Sequence, residues 1–212
     1  MMGEDWLGRW AKGRIGWHEA DGNAGLKAHW PLAGEGTRVL VPLCGKSPDL
    51  LWLARLGHEV VGVELAEIAV RDFFVENGLE YELDTDGPLD RYSVSTLPLT
   101  LYCGDYFRLR THPCDALYDR GALVAMPGDA RPRYVEHTES LLRADATRLV
   151  VTLEYDQAIV AGPPFSVMPD EIASYWDGMR RVEEKDDIDN CPPKFRAAGL
   201  AEIKEVFWLS AG

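Results

Sequence analysis

Two uninterrupted apolar runs, each followed by a helix with its own start and stop signals, constrain this chain more than any other feature. Residues 38–44 (RVLVPLC) lack the apolar–polar alternation of a half-exposed strand and read as a strand covered on both faces. Ser47, Pro48 and Asp49 then supply an N-cap, a proline at the first helical position and an early acid. The helix LLWLARL ends at Gly57, placed as a C′ glycine. Residues 58–65 (HEVVGVEL) repeat the buried-strand pattern, and residues 66–77 read as a second helix closed by Gly78. Strand, helix, strand, helix within about 40 residues is the spacing of a right-handed parallel βαβ unit.

The alternation continues downstream. Residues 91–94 and 99–103 read as strands around a turn at Thr96–Pro98, and residues 116–118 as a short strand before Asp119. Residues 129–143 read as a helix with Pro132 in its first turn, and residues 147–155 as another buried strand. A proline-rich loop, GPPFSVMP, leads into a helix at 170–176, and residues 181–185 and 202–209 read as two further strands. The expected fold class is a doubly wound α/β sheet with helices on both faces, in one domain spanning residues 1–212. Trp6, Trp10, Trp17 and Trp30 crowd into the segment ahead of the first sheet strand. Trp6 and Trp10, four residues apart, share one helix face. That face either packs on the sheet or roofs a ligand pocket.

Charge and cysteine usage narrow the partners. A net charge of −13 is unsuited to the phosphate backbone of a nucleic acid or to an anionic membrane surface, which leaves a small molecule. Cys44, Cys103, Cys114 and Cys191 form no C-x-x-C pair, and neither they nor the five histidines are spaced as metal ligands. The N-terminus lacks a basic stretch followed by an apolar run, and no segment has the roughly 18 apolar residues of a membrane span. A cytoplasmic monomer without a metal is expected.

In open α/β sheets ligands bind beyond the carboxyl ends of the strands, where the strand order reverses. Two such ends carry chemistry here. The first is the turn Pro42-Leu43-Cys44-Gly45-Lys46-Ser47, and the second is Glu64. The distance from Gly45 to Glu64 is close to the roughly 20 residues between a nucleotide loop and the acid that binds its ribose. The loop has a single glycine where a dinucleotide site has three to admit a pyrophosphate, which argues against NAD or FAD. Lys46-Ser47 echoes the end of a phosphate loop, but the required G-x-x-x-x-G-K pattern is absent, so ATP hydrolysis is rejected. An adenosyl sulfonium has no phosphate and needs no such glycines. Further along, Cys103-Gly104-Asp105-Tyr106 could pair with an adenine amino group and flank its ring, or Asp105 could simply cap a turn. Arg120, at the end of the strand before Gly121-Ala122-Leu123, would face the same crevice unless it is a surface ion pair.

Taken together, Trp6…Trp10, Gly16-Trp17-His18, VPLCGKSPDLLWLARLGHEVVGVEL, LYCGDYF, YDRGALVAMP and YDQ…GPPFSVMPDEI resemble the thiopurine S-methyltransferase family, in the right order from about residue 6 to residue 175. The resemblance implies a seven-stranded, mostly parallel Rossmann-like methyltransferase sheet with S-adenosylmethionine as methyl donor and a small aromatic or heterocyclic thiol as acceptor. It implies an N-terminal cover (residues 1–33) in which Trp6 and Trp10 meet the cofactor and Trp17 and His18 the substrate. It places Leu43 and Gly45 at the first loop, Glu64 at the ribose, and Asp105 and Tyr106 beside the adenine. Arg120 takes the position of the family's arginine near the methionine moiety and the substrate, where it would favour a thiolate electrostatically. The segment PKFRAAG implies substrate contacts from Lys194 and Arg196. Trp17 departs from the Phe more usual in the family. The competing readings are a methyltransferase for selenium, tellurium or halide anions, a non-catalytic module that binds S-adenosylmethionine, and an NAD-dependent dehydrogenase.

Overall fold

The computed structural model describes residues 2–16, 18–32 and 36–210. In chain order the elements are α1 (Met2–Ala11), α2 (Ala24–His29), β1 (Arg38–Pro42), α3 (Asp49–Arg55), β2 (Glu59–Glu64), α4 (Glu67–Glu76), β3 (Glu82–Asp86), β4 (Leu89–Ser93) and β5 (Leu99–Cys103). Then come β6 (Cys114–Arg120), α5 (Arg131–Ser140), β7 (Leu142–Glu154), α6 (Pro169–Tyr175), β8 (Arg180–Asp186), α7 (Lys194–Ala197) and β9 (Lys204–Ser210).

The strands form one mixed sheet of nine, in the order β3-β4-β5-β2-β1-β6-β7-β9-β8. Strands β5, β2, β1, β6 and β7 run parallel to their neighbours within that group. The β3–β4–β5 and β7–β9–β8 pairings at the two sides are antiparallel. The expectation of seven mostly parallel strands is therefore corrected: four of the pairings are parallel and four antiparallel. Without β3 and β4, seven strands remain, and the extra pair is a hairpin that extends one edge. Strand β3 (ELDTD) is exposed along its whole length, so it lacks the buried run by which the parallel strands announce themselves.

Alternation within each parallel strand feeds two separate cores. Val39 and Val41 of β1, Val60 of β2 and Ala116 of β6 face α3 and α4, packing with Leu50, Leu53, Val70, Phe73 and Phe74. Leu40, Val61, Val63 and Leu117 face the opposite way, against Tyr134 and Val135 of α5, Ile172 of α6 and Phe195 of α7. Side chains two apart share a face and adjacent ones oppose each other, so a run of Val and Leu with no polar interruption must be covered twice. Helices on both faces follow from that.

The start of α3 differs by one residue from the sequence expectation. Pro48, not Ser47, is its N-cap, while Ser47 Oγ accepts the Asp49 N–H at 3.2 Å. Strand β1 neighbours both β2 and β6. The chain crosses from β1 to β2 on one side and later returns from β5 to β6 on the other side of β1, and a crevice opens at this reversal of strand order.

Candidate active site

The crevice beyond the carboxyl ends of the strands is a cavity of about 850 Å³, within the range of small-molecule sites. One half is built from backbone at the ends of β1 and β2. Leu43 has φ +48 and Gly45 φ +56, so the chain turns sharply as it leaves β1. A Cβ on Gly45 would meet the Trp10 ring at 3.1 Å. Glu64 is 6% exposed and receives the turn: Oε2 accepts the Gly45 N–H at 2.9 Å and Oε1 the Ala66 N–H at 2.8 Å. Burial raises its carboxyl above the usual range, and the N–H groups of Ala66, Gly45 and Leu65 oppose that rise. Each carboxylate oxygen keeps lone-pair capacity beyond the bond it makes. The Gly104 N–H donates to the Glu64 carbonyl at 2.8 Å, which sets the loop after β5 beside the same acid. There Asp105 caps a short 3-10 turn by accepting the Phe107 N–H at 3.0 Å. These residues fit an adenosine: an acid held by two backbone N–H groups with lone pairs left for ribose hydroxyls, and a glycine turn beside it.

The other half is built from side chains. Arg120, at the end of β6, pairs with Glu19 at 2.7 Å. Asp119 beside it is completely buried and accepts the N–H groups of Ala122 and Leu123 and the Tyr134 hydroxyl. That pins the turn carrying Arg120. Burial pushes the Asp119 carboxyl up to about 6, against the lowering effect of those donors. His18 lines the cavity, and burial, then Lys46, lower its pKa, which favours a neutral imidazole. Asp187, Cys191, Lys194 and Glu205 complete this half. Among the described residues, no group of three or more His, Cys, Asp or Glu is placed to hold a metal ion. No helix among them is long and apolar enough to cross a membrane.

The sequence profile of the family Thiopurine S-methyltransferase (TPMT) matches residues 1–211. The chain belongs to the thiopurine S-methyltransferase family. Its relatives include the thiopurine S-methyltransferase of Photobacterium profundum, 43% identical over 99% of this chain and 98% of that protein. One from Pseudomonas putida is 45% identical over 97% of each. As a member of this family the chain is an S-adenosylmethionine-dependent S-methyltransferase. Among solved structures, the fold is similar to that of a Burkholderia thailandensis 1,6-didemethyltoxoflavin-N1-methyltransferase bound to S-adenosylhomocysteine. The TM-score is 0.62 at 19% identity, over 99% of this chain and 87% of that one. A TehB-like SAM-dependent methyltransferase from Corynebacterium glutamicum gives 0.56 at 17% identity, over 99% and 98%. The Rossmann-like methyltransferase fold is thereby established.

Against this family background, the residues singled out by sequence fall into three groups. Trp6, Trp10, His18, Leu43, Gly45, Glu64, Asp105, Tyr106, Arg120 and Lys194 all line the one cavity. Tyr106 does so with little exposed surface: it is buried, and its hydroxyl hydrogen-bonds Thr138 of α5 at 2.8 Å. Arg196 is not brought to the cavity. It is exposed and pairs with Asp189, because α7 turns Phe195 inward and the residue after it outward. Trp17 lies outside the described residues. Trp30 belongs to the sheet packing, its indole N–H donating to His58 Nε2 at 3.0 Å. Sequence reasoning missed Glu19, Asp49, Tyr118, Asp187 and Glu205. Glu19 adjoins His18, Asp49 lies within VPLCGKSPDLL and Tyr118 opens YDRGALVAMP, whereas Asp187 and Glu205 lie in none of the segments that resemble the family.

Proposed function

We propose that this protein methylates a small aromatic or heterocyclic thiol, acting as a single domain whose N-terminal segment covers both ligands. The observation that carries this reading is a single cavity lined together by Glu64 and the Gly45 turn, by Arg120 and His18, and by Trp6 and Trp10. When bound, S-adenosylmethionine supplies a methyl carbon already activated by its sulfonium. The protein's own task is then alignment and exclusion of water, which is worth up to roughly 7–11 kcal/mol in ideal intramolecular cases. Glu64 accepts the ribose hydroxyls, Leu43 and Gly45 admit the adenosyl group to the backbone, and Asp105 and Tyr106 border the adenine. Trp10 and Trp6 exclude water. Arg120 faces the acceptor and favours its thiolate electrostatically.

No strong base is required, because a thiol with a pKa near ambient pH supplies enough thiolate. The neutral His18 imidazole is positioned to take the proton, and Lys194 borders the acceptor from α7. The acidic surface, with net charge −13, supports a small-molecule partner over a nucleic acid, in a cytoplasmic monomer.

The test is transfer of a labelled methyl group to a panel of thiopurines and aromatic thiols, run beside selenium and tellurium oxyanions and halides. Calorimetry with S-adenosylhomocysteine accompanies it. Transfer to the thiols with product binding in the micromolar range is expected. Transfer confined to the anions would move the acceptor class, and binding without transfer to any acceptor would leave only a binding module.

A further inference from the structure

Glu19 belongs to no motif, and in sequence it stands 101 residues from Arg120. In the fold it closes a ring of hydrogen bonds. Glu19 Oε1 accepts from Arg120 Nη2 at 2.7 Å, and Oε2 accepts from Asn23 Nδ2 at 3.1 Å. The Asn23 N–H donates to Asp49 Oδ1 at 2.7 Å, and Asp49 Oδ2 accepts the Tyr118 hydroxyl at 2.9 Å. Tyr118 and Arg120 are alternate residues of β6, so the ring returns to the strand it left. Asn23, Asp49 and Tyr118 are each 1% exposed. The chain between Glu19 and Asn23 is pressed onto this ring: Gly22 has φ +72, and a Cβ there would meet Asp49 Oδ1 at 2.6 Å.

We propose that Glu19 is a positioning residue for methyl transfer: it orients the Arg120 guanidinium and clasps the segment carrying His18 over the acceptor end of the cavity. The inference rests on the reading of Arg120 given above. A guanidinium is planar, with its N–H directions fixed relative to one another. Holding one Nη therefore aims the remaining donors as well. Asn23 holds Glu19 in turn, and its own side-chain oxygen accepts the Leu26 N–H at 2.9 Å, capping α2. A rigid element thus backs the carboxylate. Loss of Glu19 removes one hold on the arginine and one on the segment, whereas the bonds that Gly45 and Ala66 make to Glu64 are untouched.

The experiment compares Glu19→Ala, Glu19→Gln, Arg120→Ala and the double variant Glu19→Ala/Arg120→Ala. It measures kcat and KM for the thiol acceptor together with S-adenosylhomocysteine affinity. Glu19→Ala should lower kcat/KM for the acceptor roughly 10- to 30-fold, with product affinity held within about threefold, since a charge-assisted bond is removed at the acceptor end alone. Glu19→Gln keeps a carbonyl for Arg120 and should recover most of that loss, which separates orientation from folding. In the Arg120→Ala background, Glu19→Ala should cost much less than it does alone, because residues acting as a unit are non-additive. A loss on Arg120→Ala with unchanged kinetics for Glu19→Ala, or losses that multiply in the double variant, would overturn the role of Glu19 only. Unchanged turnover in Arg120→Ala would overturn the reading of Arg120 and this inference with it.

Discussion

The two halves of the cavity are built by different means. At the ends of β1 and β2, Gly45 and Glu64 are 19 residues apart and meet through backbone N–H groups. At the end of β6, Arg120 meets Glu19 across 101 residues, side chain to side chain. The first half is made by local turns at strand ends, so any chain that completes this βαβ unit also completes the turn. The second half exists only once the N-terminal segment, β6 and the β8–β9 pair have docked. The half built on β1 and β2 therefore hangs on one acid, Glu64, which accepts two backbone N–H groups. The other half is held by several side-chain partners, Glu19, Asn23, Asp49 and Tyr118.

That contrast breaks most directly at Glu64. Glu64→Ala leaves the Gly45 and Ala66 N–H groups without their acceptor and should weaken S-adenosylhomocysteine binding at least about 100-fold, roughly 3 kcal/mol. Calorimetry measures it, and affinity retained within tenfold would remove the cofactor from this half. Arg120→Ala should lower acceptor kcat/KM by roughly 10- to 100-fold, the cost of losing one positioned cation. Its product affinity should stay near wild type. Equal losses in both quantities would erase the division between the halves.

Smaller effects sharpen it. Gly45→Ala puts a Cβ at φ +56 and 3.1 Å from Trp10. It should destabilise the fold by about 1–2 kcal/mol in a denaturant titration, with a parallel loss of product affinity. Asp119 offers a pH readout. Its folded-state carboxyl is raised to about 6 from an ordinary value of 3.8, so the folded chain binds more protons than the unfolded one between those values. Its contribution to stability is fully present below about pH 4 and is lost as pH rises through about 6. In Asp119→Asn that decline should flatten, measured by denaturant melts from pH 4 to pH 7. An undiminished decline would assign it to other groups. Last, Arg196→Ala should leave kcat/KM within about twofold, as expected for an exposed ion pair.

The legible parts of this molecule share a physical cause. RVLVPLC and HEVVGVEL had to be covered on both faces, so the parallel centre and its flanking helices could be read directly. The Leu43 and Gly45 turn and Glu64 could be read for the same reason, since strand ends fix where the turn and the acid point. Strand β3 could not be, because Glu82–Asp86 is exposed along its whole length and its pairing depends on β4 offering a free edge. Lys194 and Arg196 carry the same charge two residues apart, yet one lines the cavity and the other pairs with Asp189.

By itself, then, the sequence determined the α/β layering, the strand ends that face the ligand, and the absence of a phosphate-type loop. These follow from periodicity and backbone freedom, which act over a few residues. Only the tertiary structure decided which charges meet. Glu19 with Arg120, Asp49 with Tyr118 and Asn23, and Lys185 with Glu205 are contacts between distant segments. An ion pair one helical turn apart, such as Glu67–Arg71, is encoded by local spacing, but proximity between distant segments is not.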